Sequence, residues 1–406
     1  MLNIYKFLSY IFIPFILINF YYRILKNKED KIRIKERFGL SNYSFKLSKK
    51  IIWLHAASIG EFKSCDIIIE KYYKNFNILV TTTTKTSALY VVKNYQEKVI
   101  HQYIPFDVPI WCSRFINYWK PSLVLWIESD IWPNMLSKIR EKDINCLYLN
   151  ARISPTSFKK WKNIKNFYRN SLKNFNKIFA QSEDDKKRIH KLTSLNIDYI
   201  GNLKLAKNNN NSIINKELSN SILIASTHSN EEKKIIKNIK KTIHDFNLKI
   251  YLAPRHPERI NTIRQELKKE GFSISLESKK EYEENNIVII DSFGKLDQYF
   301  KISDLVILGG SFLKNIGGHN PIEPASYGCA VISGKYVDNW TNIYADMVKA
   351  NSCILVNKFE EIDLKMRELL NGNLEIKRIQ SNALKFSNRP FFEKEKLFQN
   401  IEVYVN

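Results

Sequence analysis

The sequence predicts an α/β protein made of two doubly wound parallel-sheet domains behind an N-terminal membrane-anchor helix. Three observations predict it. Short apolar, β-branched runs alternate with longer amphipathic stretches; an asparagine-rich break near residue 207 divides those runs into two sets; and an uncharged apolar segment opens the chain. A chain of 406 residues, 44% hydrophobic, exceeds what one hydrophobic core usually organises.

The opening segment comes first. From Phe7 to Tyr22 no charge occurs, and Arg23, Lys26, Lys28, Lys31, Arg33, Lys35 and Arg37 follow. Extended back to Leu2, with Lys6 snorkelling, the run nears the roughly 20 residues that span a bilayer, so spanning and shallow insertion are both open. The basic flank assigns the body to the cytoplasmic side, and no small-residue cleavage site follows, so a retained anchor over 1–25 is expected.

The first set of strands reads IIWLH (51–55), NILVT (77–81), LVLWI (123–127) and NCLYLN (145–150), and the first domain is expected over 26–206. KNNNNS marks a linker at 207–215. The second set reads SILIAS (221–226), KIYLAP (249–254), NIVIID (286–291), DLVILGG (304–310) and AVIS (330–333), giving a second domain over 216–385 and a tail over 386–406. Such sheets bind ligands at the carboxyl ends of their strands, and two facing domains are expected to form a cleft.

Charge and cysteine usage narrow the function class. Lys and Arg number 64 against 41 Asp and Glu, a formal +23 that suits phosphates, nucleic acid or an acidic membrane surface. The five cysteines form no CxxC pair, which argues against a disulfide framework or a structural zinc site and fits a reducing cytosol.

Several strand ends carry candidate chemistry. HAASIGE (55–61) ends on Glu61 near a helix start, which reads either as an acid/base carboxylate or as a helix N-terminal acid. IESDIWPN (127–134) offers Glu128 and Asp130, the latter also a plausible cap. No histidine accompanies Glu-Ser-Asp and His319 has no partner at ligand spacing, so no metal is expected. PRHPER (254–259) places Arg255, His256 and Arg259 after a strand as an anion grip. Seven of the twelve glycines lie between Gly294 and Gly334, and GGSFLKNIGGHNPIEPASYG (309–328) reads as a phosphate-cradling loop with Glu323 facing ribose hydroxyls.

Taken in order, HAASIGE, TTTTKTSA, YIPFDVP, IESDIWPN, NARIS, AQSEDD, GNLK, ASTHSNEE, APRHPER and GGSFLKNIGGHNPIEPA resemble the lipid IVA transferases of 3-deoxy-D-manno-octulosonic acid (Kdo) in lipopolysaccharide biosynthesis. ERFG (36–39) resembles the family's N-terminal region, whereas the last 50 residues match loosely. The resemblance implies a GT-B fold, an inverting transfer from CMP-Kdo to lipid IVA, no cofactor, and a location on the cytoplasmic leaflet of the bacterial inner membrane. It makes the first domain the acceptor side and the second the donor side. It implies Glu61 as proton acceptor, Glu128 and Lys204 as transition-state stabilisers, and CMP contacts from Pro254, Arg255, Phe293, Gly294, Lys295, Asn320, Pro321, Ile322 and Glu323. The chain departs from the family where Gly294-Lys295 replaces the usual Gly-Glu, so a main-chain contact is expected at 295. The loop between GGS and GGH is one residue longer than in common members. The alternatives are another GT-B nucleotide-sugar enzyme, and a membrane-tethered nucleic-acid-binding protein. The anchor and the SIGE and WPN motifs weigh against the first; the second lacks a binding module, so no nucleic-acid partner is expected.

Overall fold

A computed structural model of the chain describes residues 2–43, 48–128, 131–206, 218–279, 287–292 and 294–405. The expected linker 207–215, Asp130 and Phe293 lie outside the described residues. The chain divides into two compact units, Met1–Lys207 with Pro390–Asn406, and Asn208–Arg389.

Unit 1 is built on seven strands, β1 (Ile51–His55), β2 (Asn77–Thr82), β3 (Ile100–Tyr103), β4 (Leu123–Ile127), β5 (Asn145–Ala151), β6 (Lys177–Ala180) and β7 (Asp198–Tyr199). They pair in parallel in the order β3-β2-β1-β4-β5-β6-β7. Successive side chains of a strand point to opposite faces. In β1, Ile51 and Trp53 therefore enter one core with Phe115, Trp126 and Tyr148, while Ile52 and Leu54 enter the other with Phe62, Ile68 and Val80.

The last segment does not hang free as a tail. The helix Lys394–Val405 buries Leu397, Phe398, Ile401 and Val405 in the second of these cores. The returning chain bridges Gly201 to Phe392, and a Cβ at Gly201 (φ 93°) would lie 2.0 Å from the Phe391 carbonyl oxygen, so only glycine permits the approach. Sequence reading gave only a C-terminal tail here, because the helix meets partners as far as 331 positions earlier in the chain, as in the Lys71–Glu402 pair.

The N-terminal segment is a pair of helices, α1 (Leu2–Ile11) and α2 (Ile13–Leu25), bent by 59°. Pro14, in the first turn of α2, supplies no backbone N–H and breaks the run. Among the described residues no single helix is long and apolar enough to cross a membrane, and the bent pair passes that test only when taken together, which corrects the expectation of one continuous anchor helix. The pair is also tied to unit 1. Tyr5 Oη donates to Asp107 Oδ2 at 2.9 Å, Asn134 Nδ2 donates to Ser9 Oγ at 3.1 Å, and buried Phe20 meets Phe38 and Phe106 edge-on. Beyond it, Arg23 and Arg37 both pair with the buried Glu29.

Unit 2 repeats the plan with β8 (Ser221–Thr227), β9 (Lys249–Pro254), β10 (Ile274–Leu276), β11 (Ile287–Ile289), β12 (Leu305–Leu308), β13 (Ala330–Gly334) and β14 (Ile354–Val356). All pair in parallel, in the order β10-β11-β9-β8-β12-β13-β14. The helix Glu231–Asp245 lays Ile235, Ile236, Ile239 and Ile243, at helical spacing, against Ile222 and Ile224 of β8. All five cysteines are buried.

Candidate active site

In an open parallel sheet, ligands bind outside the carboxyl ends of the strands where the winding reverses, because there the loops diverge and leave a crevice. In unit 1 that point lies between β1 and β4. The loop after β1 leads into α3 (Ile59–Ser64), whose N-cap is Ser58. Ser58 Oγ accepts the Glu61 N–H at 3.3 Å, and Glu61 Oε2 accepts the Ala57 N–H at 2.7 Å. This reciprocal arrangement is a variant of the capping box, and it holds the half-buried Glu61 carboxylate against the β1 loop. The helix-start reading of Glu61 is seen directly, and the same contact orients its carboxylate at the strand end.

Glu128 follows β4 and is 5% exposed. Its Oε1 takes an ion pair from Lys204 Nζ at 2.5 Å and a hydrogen bond from Asn150 Nδ2 at 3.3 Å. Glu128 has φ 64° and Asn150 φ 56°, left-handed values uncommon outside glycine, which mark backbone held by its surroundings. Asn150 Oδ1 also accepts the Leu203 N–H at 3.0 Å, so one side chain links Glu128 to the short helix Leu203–Leu205 that carries Lys204. The structure thus brings Glu128 and Lys204 together. Asn150 lay within the NARIS motif, but its bridging role depends on a pairing 53 residues away in sequence and carries no local signal. His55, ending β1, donates or accepts at Thr81 Oγ1 over 2.9 Å; complete burial pushes its imidazole down to about 3 and keeps it neutral.

In unit 2 the winding reverses between β8 and β12. The loop after β12 was expected to cradle phosphate on its backbone amides, and several of those amides are engaged within the chain. Glu231, fully buried, accepts the Gly310 N–H at 2.7 Å and the Phe312 N–H at 3.1 Å, together with the His228 N–H at 2.9 Å. Gly309 N–H goes to Ala225 O and Gly318 N–H to Gly310 O. A carboxylate of the chain already occupies the nest, leaving those amides no role for a ligand. Burial raises the Glu231 carboxyl, and the three backbone N–H bonds oppose that shift.

The expected anion grip is also divided. Arg259 makes a two-pronged pair with the fully buried Glu232, at 2.9 and 3.2 Å, and is committed to the fold. Arg255 and His256 are exposed at the end of β9, beside buried Pro254. Lys295 Nζ pairs with Glu277 at 2.5 Å, and Gly294 has φ 84°. Asn320 Oδ1 accepts the Ile322 N–H at 3.0 Å, which sets Pro321 and the short helix Ile322–Ser326 with Glu323 exposed on it. Among the described residues no group of three or more His, Cys, Asp or Glu is arranged to hold a metal ion.

Residues 32–207 match the family model for 3-deoxy-D-manno-octulosonic-acid transferase (kdotransferase). A 3-deoxy-D-manno-octulosonic acid transferase of Rickettsia bellii is 34% identical over 408 residues, covering 96% of each chain. The chain belongs to the 3-deoxy-D-manno-octulosonic acid transferase family. A transferase of the same description from Haemophilus influenzae is 32% identical over 86% of each chain. Among solved structures, the UDP-GlcNAc 2-epimerase of Neisseria meningitidis matches with a TM-score of 0.60 at 13% identity, over 87% of this chain and all of its own, a likeness of fold alone. This Kdo transferase is therefore a glycosyltransferase of two parallel-sheet α/β domains with GT-B-like neighbours. Within it, sequence reasoning passed over Asn150, Glu231, His228 and the partner role of His319, all of which act through contacts between distant strand ends.

Proposed function

We propose that this chain transfers Kdo from CMP-Kdo to lipid IVA, with inversion, at the cytoplasmic face of a bacterial inner membrane. The observation that carries the acceptor reading is the helix pair α1–α2. It is fastened to the unit that holds Glu61 and Glu128, yet Phe7, Phe15, Ile18, Tyr21 and Leu25 stay between 62 and 67% exposed. An apolar surface of that kind beside a basic segment suits an anionic bilayer, where an acylated, phosphorylated acceptor resides.

In this reading Glu61 takes the proton from the attacking acceptor hydroxyl, while Glu128 and Lys204, already paired, stabilise charge that develops during transfer. Pro254, Arg255, Phe293, Gly294, Asn320, Pro321, Ile322 and Glu323 hold CMP, and Lys295 contributes through its main chain because its side chain is engaged by Glu277. No cofactor is invoked. Incubating the purified full chain with CMP-Kdo and lipid IVA, then reading product masses, tests the proposal. Lipid IVA heavier by one or more Kdo residues is expected. Release of CMP without such a product would overturn the acceptor and leave the donor standing.

A further inference from the structure

The buried Glu231 takes the Gly310 and Phe312 amides of unit 2, which directs attention to the side chains at the neighbouring strand ends as partners for an incoming phosphate. Three of the seven histidines of the chain gather at that point. His228 follows β8, His256 follows β9 and His319 ends the loop after β12. His228 Nε2 and His319 Nε2 lie 3.1 Å apart, and the His228 and His256 rings are 5.5 Å apart between centroids. This is the reversal point of the sheet, where the fold leaves its crevice.

His319 is placed with care. A Cβ on Gly310 (φ 70°) would stand 2.6 Å from its Nε2, so the glycine makes room for the ring, and the His319 carbonyl accepts Tyr344 Oη at 3.2 Å. The two Nε2 atoms face each other, so the neutral pair shares one N–H between them, and a proton added to His228 lets that ring donate to His319 from Nε2 and to a ligand from Nδ1.

We propose that His228, paired with His319, is a phosphate-contacting residue of unit 2 that takes up a proton as the donor's phosphate binds. The inference rests on the CMP-donor reading above. The electrostatics agree. Burial, then His256 and Arg255, lower the His228 imidazole, with Arg259 adding to that and Glu232 opposing it. Burial, Arg255, His228 and His256 hold His319 down at about 3. The nearby acids are engaged within the chain, Glu231 on backbone amides, Glu232 on Arg259 and Thr227, and Glu258 on His256 Nδ1 at 3.3 Å. The basic cluster therefore disfavours one more cation, and a bound phosphate reverses that balance by countering Arg255 and His256. His228 then becomes a charged donor, and charge growing on the departing CMP phosphate strengthens the same bond.

The test uses the full chain and the methyl ester of CMP, whose phosphate keeps a single charge across the range and so adds no titration of its own. Affinity is measured by calorimetry from about pH 8 to about pH 6, in two buffers of different ionisation enthalpy, with cytidine as the phosphate-free control. Binding should tighten at least about threefold toward pH 6 with net proton uptake, and cytidine should show neither. His228→Gln should lose the tightening toward pH 6, so that its deficit against wild type is larger at pH 6 than near pH 8, whereas His256→Gln should retain the tightening. Tightening that survives in His228→Gln, or disappears in His256→Gln, overturns the assignment. So does pH-independent binding by the wild type, which leaves the CMP-donor reading intact. No binding of CMP or its ester at any pH removes the donor reading itself, and the inference with it.

Discussion

The two units share a seven-stranded parallel sheet with the same winding, yet their reversal points carry opposite chemistry. Unit 1 presents carboxylates, Glu61 on a capped helix start and Glu128 paired to Lys204. Unit 2 turns its carboxylates inward, Glu231 onto amides and Glu232 onto Arg259, and leaves Arg255, His256 and His228 at the strand ends. The fold supplies only the crevice. Which charges remain after internal pairing decides whether a crevice suits proton acceptance or anion binding.

The largest expected effect falls on unit 1. Glu61→Gln keeps an oxygen for the Ala57 N–H but removes the base, so turnover should fall by about 10²–10⁴-fold with CMP affinity and melting temperature near normal. Were Glu61 only a helix-start acid, the change would cost about 0.3–1 kcal/mol of stability and leave turnover intact. Turnover, affinity and melting on this one variant decide between them.

Next in size, the two arginines of PRHPER should behave differently. Arg259→Ala strands the fully buried Glu232 and should cost about 3 kcal/mol in denaturant unfolding, the lower end for a broken buried pair because the Arg259 side chain is 22% exposed. Arg255→Ala should leave stability within about 0.5 kcal/mol while weakening CMP roughly ten- to a hundredfold. Equal stability losses in both variants would erase the distinction between inward and outward charge in unit 2.

A smaller effect belongs to acid. His55 is neutral in the fold, its imidazole held near 3 against an ordinary value of about 6.5. Below about pH 6.5 the unfolded chain binds a proton that the folded chain refuses, so stability falls with pH from there down toward the folded value. Between about pH 6.5 and 5 this amounts to about 2 kcal/mol, lost as a lower melting temperature of unit 1. His55→Gln should flatten that decline, and an unchanged decline would show that other groups carry it.

The smallest expected effect concerns α1–α2. Replacing exposed Phe7, Phe15 and Ile18 by Gln should leave folding and CMP affinity unchanged while reducing sedimentation with anionic vesicles. Deleting residues 1–22 is a poorer probe, because it removes Phe20 from its contacts with Phe38 and Phe106.

The central strands were legible in sequence. β1, β2, β4 and β5, and β8, β9, β11, β12 and β13, are covered on both faces and read as apolar runs. The strands that sequence reasoning passed over, β3, β6, β7, β10 and β14, lie toward the sheet edges and are short or polar, as in IHQY of β3 and DY of β7. Edge positions demand less apolar surface, so the pattern fades there.

By itself the sequence determined the fold class and the family, and it named the charged residues at the strand ends, because hydrophobic runs, glycine spacing and ordered motifs are local properties of the chain. Only the tertiary structure decided which of those charges are available. Glu231 and Arg259 look as reactive in sequence as Glu61 and Arg255. They are consumed by amides and a carboxylate that other loops bring within 3.2 Å, since pairing depends on distance in space and not on position along the chain.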